Sequence, residues 1–521
     1  MKGAIAAGHP LTAQAGARIL EEGGNAVDAC IAAAFVSWVS ESPLTGPGGG
    51  GFMLVHRARD KSDRLLDFFV AIPGQGLGAE EGGEMVKVLV PFDERTVQVF
   101  RIGAAACAVP GSVAGLAEAH RRYGRLPWAE LLEPAVEVAR AGVKLNAAQS
   151  YLHEILDSAL RAEPEGRLIY GAERALVEGD RLVMADLADT LEWLAAEGAY
   201  AFYEGELARR IVASVRSAGG RITAEDLGSY RVIQRRPVRA AYRGCEFVSN
   251  PPPSSGGILI GFALRVLERL GPLAQAGSAE ALAALAEVMR ASARARLGGF
   301  LSDLYRGGAA MRLLAEERIE AAARTARERP GTAAPEPSGV PSTTHISVVD
   351  AVGNAASLSA STGCGSGLVV PGTGVQLNNM LGEHDLHPEG SAARPGRRLT
   401  SMMAPSLVLA DGEPRLVVGS AGSIRLRAAI LQIVVNVIDH GLRVPEAVAA
   451  PRVHLDDDVL QLEGGIAEEA AERLEEWGYR VARWAGVNLY FGGVSAVVFR
   501  EDGGLEAAGD PRRQGAGVVV G

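Results

Sequence analysis

The chain has 521 residues, of which 48% are hydrophobic and 22% charged, and its formal net charge at pH 7 is −10. This balance is typical of a globular protein with a large core or two tightly joined domains. The excess of acidic residues argues against nucleic acid or an anionic membrane surface as the main partner. The four cysteines are scattered without a C-x-x-C pair, which argues against a disulfide framework or a zinc knuckle.

The N-terminal segment "MKGAIAAGHPLTAQAG" lacks the apolar core, roughly 7–15 residues long, of a secretory signal. No window reaches the about 18 uninterrupted apolar residues that a membrane-spanning helix requires. We therefore expect a cytoplasmic protein without a membrane partner.

The first part of the chain predicts helices interrupted by strands. "LTAQAGARILEEGGNAVDACIAAAFVSWVSES" has helical periodicity broken by a glycine pair, and its second half is apolar enough to be buried between layers. "GFMLVHRA" and "RLLDFFVAI" predict strands. Amphipathic helical patterns then follow one another, with a strand and a proline-rich turn in "YRGCEFVSNPPPSSGGILI".

A composition change separates this part from the rest. The segment 329–342 holds four prolines and two glycines and reads as a linker. Beyond it, "THISVVDAVGNAASLSAS", "SLVLADGEPRLVVGSAG" and "GGVSAVVFREDGGLEAAGD" predict strands joined by tight turns, with the helix "IRLRAAILQIVVNVIDHG" among them. The chain is predicted to be α+β, with a boundary near residue 342.

Thr343 is the first residue with a chemical role to consider, because it stands between the linker and a strand. A threonine there is usually a capping or edge-strand residue. If the bond before it is cut, its own α-amine, with an ordinary pKa of about 7.7–8.0, becomes a base next to its hydroxyl. One residue would then supply both nucleophile and base.

Seven separated blocks together resemble the γ-glutamyltranspeptidase family and occur in that family's order. They are "NAVDACIAAAFVSWVSESPLTGPGGGGFMLV", "STTHISVVDAVGNAASLS", "GVQLNNMLGE", "RLTSMMAPSLVL", "GSAGSIRLRAAILQIVVNVIDHG", "APRVH" and "AAGDPRR". The resemblance implies an N-terminal-nucleophile hydrolase with an αββα four-layer sandwich. It also implies self-cleavage between Ser342 and Thr343 into a large subunit, 1–342, and a small subunit, 343–521, that stay together.

The resemblance also implies roles for individual residues. Thr343 takes the place of the catalytic threonine, and Thr344 that of the threonine after it. Ser361 matches a hydroxyl residue that supports the nucleophile.

Two further pairs of residues match the family's substrate pocket and oxyanion hole. Thr400 and Ser401 stand where the family has a serine pair that lines the pocket. Gly422, with Ser423 in place of a second glycine, matches the paired backbone N–H groups that hold the oxyanion. Such donors each contribute about 10²–10³ in rate.

The residues that bind the α-carboxylate and the α-amino group of the substrate in the family are replaced. Phe69 stands where the family has an arginine that binds the α-carboxylate. The family binds the α-amino group with an Asn, a Gln and an Asp, and here these are Gly363, Met380 and Glu383. Exchanging a bidentate cation for a phenyl ring removes the charge-assisted contact to a carboxylate. We therefore expect an amide hydrolase or acyltransferase whose acyl group is less polar than γ-glutamyl or carries other charges.

Three other motifs have simpler interpretations. "GPGGGG" follows a helix and precedes a strand, which is the wrong order for a dinucleotide site and favours close backbone packing. "EHDLH" resembles a metal motif, but a solvated loop at the pocket rim is the simpler interpretation, and the family's chemistry needs no metal or other cofactor. His345 is expected on the same face of its strand as Thr343, as a structural residue.

The expected substrate is a small-molecule amide or a peptide-like compound, and further oligomerisation is left open. Three alternatives remain at this point: a true γ-glutamyl hydrolase or transpeptidase, a biosynthetic relative that cleaves an unusual bond such as a carbon–carbon bond, and a non-catalytic binding protein that keeps the fold.

Overall fold

A computed structural model describes residues 2–78, 81–91, 97–328, 343–383, 386, 394–500 and 502–521. The predicted linker 329–342, including Ser342, lies outside these residues. The strands are β1 (Gly3–Ala7), β2 (Gly50–Arg57), β3 (Ser62–Phe68), β4 (Val86–Pro91), β5 (Val97–Ile102), β6 (Val143–Lys144), β7 (Arg181–Leu182), β8 (Ile233–Arg235), β9 (Val238–Tyr242), β10 (Cys245–Ser249), β11 (Thr344–Asp350), β12 (Ala355–Ser361), β13 (Val369–Val370), β14 (Val375–Gln376), β15 (Ser406–Ala410), β16 (Glu413–Ala421), β17 (Val453–Asp456), β18 (Val459–Leu462), β19 (Arg480–Arg483), β20 (Gly493–Phe499), β21 (Leu505–Gly509) and β22 (Ala516–Val520). The helices are α1 (Pro10–Glu21), α2 (Ala26–Ser40), α3 (Ser112–Tyr123), α4 (Trp128–Ala141), α5 (Ala147–Ile155), α6 (Asp157–Leu160), α7 (Pro164–Tyr170), α8 (Ala185–Glu197), α9 (Tyr200–Tyr203), α10 (Glu206–Ser217), α11 (Ala224–Ser229), α12 (Gly256–Leu270), α13 (Ala279–Ala295), α14 (Phe300–Arg306), α15 (Ala309–Leu313), α16 (Glu316–Arg327), α17 (Leu426–Ile438), α18 (Val444–Ala449) and α19 (Glu468–Glu476).

Two antiparallel sheets form the centre of the molecule. The larger has the strand order β22-β1-β11-β12-β2-β3-β8, and the smaller has the order β21-β20-β16-β15-β10-β9. Strands β11 and β12 face β16 of the other sheet, α1 and α2 cover the outer face of the larger sheet, and α12 and α17 cover the smaller. This is the αββα four-layer sandwich that the resemblance implies, and the α+β prediction is confirmed.

Side-chain alternation explains how each strand serves two layers. In β1, Ile5 and Ala7 pack with the helices of the outer layer, whereas Ala4 and Ala6 belong to the core shared with the second sheet. Successive strand residues point to opposite faces, so a sheet covered on both sides buries both sets of side chains. Every residue of α2 is buried, as its composition predicts.

The parts of the chain before and after the linker do not form separate layers. Strand β1 pairs with β11 and β22, β2 pairs with β12, and β10 pairs with β15. Each pairing joins a strand from the first part to a strand from the second. Both sheets are therefore built from both parts.

The glycine run "GPGGGG" lies where backbones pass too closely for a side chain. A Cβ on Gly49 or Gly51 would overlap the carbonyl oxygens of Ser361 and Ser359 on the neighbouring β12. The interpretation as close backbone packing is confirmed. In the part of the chain that the structure describes, no helix combines the length and apolar character needed to cross a membrane.

Candidate active site

Thr343 lies directly before β11 and is 5% exposed, at the bottom of a cleft between the two sheets. The empty space in this cleft is about 310 Å³. Its walls are formed by Phe69, Thr343, Ser361, Met380, Glu383, Leu386, Ser401, Met402, Met403, Ser423 and Leu426. Seven of these residues were selected from the sequence as site residues, although they are scattered over more than half of the chain.

Strand pairing places Ser361 opposite Thr343. Thr344 pairs with Ala360, so the antiparallel register continues to Thr343 and Ser361, the last residue of β12. Side chains directly opposite in such a pair lie about 4.5–5.5 Å apart at Cβ. The Ser361 hydroxyl also accepts a hydrogen bond from the Gly363 N–H at 2.9 Å, which orients it.

Behind the cleft, two charged residues bind the two threonines, one at the Thr343 carbonyl oxygen and the other at the Thr344 hydroxyl. Arg513 Nη1 donates to the Thr343 carbonyl oxygen at 2.7 Å. On the other side of the sheet, the Thr344 hydroxyl donates to Glu41 Oε2 at 2.7 Å, and the Thr12 hydroxyl donates to Glu41 Oε1 at 3.1 Å. The sequence patterns did not select Glu41 or Arg513, although "SES" at the end of an apolar helix and "DPRR" mark their positions.

Burial governs the protonation of both residues. It raises the pKa of Glu41, an effect that the Thr344 hydrogen bond and the Arg513 charge oppose. It lowers the pKa of Arg513 to about 10, against the attraction of Glu41 and Asp510. Arg513 therefore stays cationic at neutral pH.

The predicted oxyanion hole lies at the end of β16. Gly422 has φ +139° and Ser423 has φ +53°, a left-handed conformation that is unusual for a residue with a side chain. Neither backbone N–H donates a hydrogen bond to any of the residues that the structure describes. Both donors are therefore available to a ligand, and Ser423 itself lines the cleft.

The part of the cleft that would hold an acyl group is largely apolar. Phe69 is fully buried and stacks on Phe52, with ring centroids 5.4 Å apart and planes at 23°. Met380 is held by its N–H bond to Asn378 Oδ1. Among the described residues that line the cleft, none is a lysine or an arginine, and Glu383 is the only acidic one.

The family assignment follows from the length of the match. The model of the gamma-glutamyltranspeptidase family matches residues 12–520. The chain belongs to the γ-glutamyltranspeptidase family.

Relatives and a solved structure agree with this family membership. The chain is 34% identical over 534 residues to the "Acylase ACY 1 proenzyme" of Pseudomonas sp. (strain SE83), covering 100% of this chain and 94% of that protein. It is 33% identical over 545 residues to the "Glutathione hydrolase proenzyme" of Escherichia coli (strain K12), covering 98% and 90%. The crystal structure of cephalosporin acylase from Bacillus halodurans superposes with a TM-score of 0.85 at 26% identity, covering 99% and 95%. The protein is therefore an enzyme of amide hydrolysis or acyl transfer with the N-terminal-nucleophile fold.

Two of the residues matched to the family's pocket do not line the cleft. The Thr400 hydroxyl donates to the Pro253 carbonyl oxygen at 2.8 Å, so it braces the wall that Ser401 presents to the cleft. Gly363 has φ +66° and supplies backbone only. Most of the segment between Glu383 and Thr400 lies outside the described residues, including the histidines of "EHDLH".

His345 lies on the inter-sheet face, as expected for a structural residue. Its Nδ1 is 2.8 Å from the Ser359 hydroxyl, and its Nε2 is 3.0 Å from the Ser347 hydroxyl. Burial lowers the pKa of His345 to about 3, so the ring is neutral at physiological pH. Both nitrogens are occupied by serines, and the Ser347 hydroxyl also donates to the Ser495 carbonyl oxygen at 3.0 Å, which links the two sheets.

Proposed function

We propose that Thr343 is the catalytic nucleophile of an acylase whose acyl group lacks the α-carboxylate of γ-glutamyl. The bond between Ser342 and Thr343 is cut first, which divides the chain into 1–342 and 343–521. The two products stay together because both sheets take strands from each.

In self-cleavage, the Thr343 Oγ attacks the Ser342 carbonyl carbon. The peptide C–N bond breaks as the C–O bond forms, and the Thr343 nitrogen takes a proton. Water then hydrolyses the ester, which leaves a carboxylate on Ser342 and a free α-amine on Thr343.

In turnover, the α-amine accepts the Thr343 hydroxyl proton while Oγ attacks the amide carbonyl of the substrate. The N–H groups of Gly422 and Ser423 hold the developing oxyanion. The C–N bond breaks, the α-ammonium returns its proton to the departing amine, and water or another amine releases the acyl group from Thr343.

The absence of a cation among the described cleft residues carries the proposal about the acyl group. A carboxylate beside Phe69 would lose its hydration without gaining a charge-assisted bond, and it would lie in the same cleft as Glu383. An uncharged chain or one ending in an amine would avoid both costs. The similarity to an acylase proenzyme supports this choice, and the similarity to a glutathione hydrolase proenzyme supports the alternative of a true γ-glutamyl enzyme.

Four p-nitroanilides that share a butyryl chain and differ only in the substituents on its C4 test the acyl group: butyryl, 4-aminobutyryl, glutaryl and γ-glutamyl. We expect kcat/KM for the first two to exceed that for the two carboxylates by about tenfold or more, because desolvating a charge without a partner is expensive. Faster turnover of the γ-glutamyl anilide would contradict the proposal and favour the true γ-glutamyl enzyme.

A denaturing gel tests the nucleophile. Wild type should give two bands, and Thr343→Ala should remain one chain. Thr343→Ser is the matched control, since it keeps a hydroxyl and should still split. A wild-type chain that never splits would refute this mechanism.

A further inference from the structure

Two buried charged side chains bind the groups on either side of the bond between Thr343 and Thr344. Arg513, which reaches in from the turn after β21, binds the carbonyl oxygen of this peptide at 2.7 Å. Glu41, directly after α2, accepts the hydroxyl of the next residue at 2.7 Å. Glu41 and Arg513 are both at least 95% buried, so neither is an exposed and mobile side chain.

The side chains of Glu41 and Arg513 each pass close to a glycine on the way to the threonines. A Cβ on Gly8 would overlap Glu41 Oε2 and would lie 3.5 Å from the Thr344 hydroxyl. A Cβ on Gly493 would overlap the Arg513 side chain, with its Cγ at 2.9 Å. The neighbouring strands therefore leave room for these two side chains, and any residue larger than glycine would displace them.

A nucleophile at a chain terminus needs such support from its C-terminal side. Once the preceding peptide bond is cut, the peptide plane to Thr344 is the remaining main-chain connection that positions the Thr343 Cα, which carries the α-amine and the side chain. That plane is set by the carbonyl oxygen that Arg513 holds and by the register of Thr344 in β11, which Glu41 supports. A misplacement of about 1 Å at such a centre can cost about 10²-fold in rate.

We propose that Arg513 and Glu41 are positioning residues that lock the peptide plane between Thr343 and Thr344 and thereby aim the nucleophile. This role rests on the proposed function of Thr343. Neither residue is among those that line the cleft, and each acts through a threonine. Among the described residues, the charged or titratable groups around Thr343 are Arg513 and Glu41 behind it, His345 on its own strand and Glu383 in the cleft lining.

The test compares Arg513→Lys with Arg512→Lys. Arg512 is the adjacent buried arginine, but it binds Glu463 Oε1 at 2.7 Å and Asp510 at 3.1 Å. Both substitutions should lower the melting temperature. Only Arg513→Lys should slow self-cleavage and reduce kcat on butyryl p-nitroanilide, by about 10–10²-fold with KM changed less than about threefold.

A pH profile separates positioning from a general loss of stability. Arg513→Met removes a cation near the Thr343 α-amine, so the amine should hold its proton more tightly. The acid limb of the kcat/KM profile should then move up by about one pH unit. Arg512→Lys should leave that limb in place.

Glu41 is tested independently, so the proposal does not depend on how well the arginine variants fold. Gly8→Ala should displace the Glu41 carboxylate without changing any charge and should reduce kcat by about tenfold. In a double-mutant cycle, Glu41→Gln should cost little once Thr344→Val has removed its partner, because the two act through one hydrogen bond.

The outcomes separate the two proposals. Cleavage of Thr343→Ala would refute the proposed nucleophile. Wild-type self-cleavage and kcat in Arg513→Lys, Glu41→Gln and Gly8→Ala would overturn the positioning role while leaving Thr343 as the nucleophile. If the losses in kcat from Glu41→Gln and Thr344→Val were additive, Glu41 would not act through its hydrogen bond to Thr344.

Discussion

The carboxylate of Glu383 occupies space that a side chain on residue 363 would need. A Cβ on Gly363 would lie 2.5 Å from Glu383 Oε1, and it would overlap Oδ1 of Asn379. Asn379 Oδ1 in turn accepts the Cys364 N–H at 3.0 Å, so it is not free to move away. The two replacements, Gly363 and Glu383, therefore depend on each other, because Glu383 and Asn379 fill the space that a side chain at position 363 would need.

This arrangement predicts a specific cost for Gly363→Ala. The left-handed backbone, φ +66°, costs an alanine about 1–2 kcal/mol, and the collisions add to that. We expect a lower melting temperature and at least a tenfold loss in kcat/KM, since the cleft wall that holds Glu383 must shift. Activity assays on the four anilides measure the second effect.

Gly372→Ala is the matched control for that substitution. Gly372 has φ +64°, but nothing lies within 4 Å of its Cβ position. It should show the backbone cost without the loss in kcat/KM. Equal effects of the two substitutions on activity would mean that backbone strain alone, and not the packing against Glu383, accounts for the effect of Gly363→Ala.

In the proposed mechanism Ser423 supplies only its backbone N–H to the oxyanion, which predicts how its variants behave. Its φ of +53° suits glycine better than serine. Ser423→Gly should therefore keep kcat within about threefold and stabilise the protein slightly, whereas Ser423→Val should lose about 10²–10³ in kcat, because a β-branched residue resists this conformation. Steady-state kinetics on the butyryl anilide would check this. A large loss in Ser423→Gly would show that the hydroxyl itself takes part.

The resemblance to the family implied the layered fold, whereas local patterns predicted only the individual elements. The strand pattern of β11 and the apolar composition of α2 depend only on neighbouring residues, and both elements lie where the sequence predicts them. The blocks matched to the family also indicated most of the cleft, since seven of its lining residues had been selected from the sequence.

The supporting contacts could not be predicted in the same way. Glu41 and Thr344 are 303 residues apart, and Arg513 binds a carbonyl oxygen that no side-chain motif marks. The direction of the Thr400 hydroxyl depends on Pro253, which lies on another segment. Such contacts follow from tertiary packing, so only the structure shows which matched residues face the cleft and which brace it.

Phe69 should limit the size of the acyl group, and Phe52 provides the control. Both rings are buried in one stack, but only Phe69 lines the cleft. Phe69→Ala and Phe52→Ala should each cost about 3–5 kcal/mol of stability. Only Phe69→Ala should raise the ratio of kcat/KM for a hexanoyl anilide over the butyryl anilide. An equal change in that ratio in both variants would argue against Phe69 as the wall of the acyl pocket.

His345 should make the protein sensitive to acid. Burial lowers its pKa to about 3, from 6.5 in the unfolded chain. A group whose pKa is lower in the folded state gives stability that is present above the unfolded pKa and is lost as pH falls. From pH 6.5 down to pH 3 the unfolded chain binds a proton that the folded chain cannot, so by pH 5 His345 should cost about 2 kcal/mol of the free energy of unfolding. Urea unfolding of Thr343→Ala, which remains one chain, should show this loss between pH 7 and pH 5, and a second His345→Gln substitution should remove it. Ser359→Ala breaks the bond to the same ring and should lower stability equally at both pH values. If the free energy of unfolding changed with pH by the same amount with and without His345→Gln, this histidine would not take up a proton on unfolding.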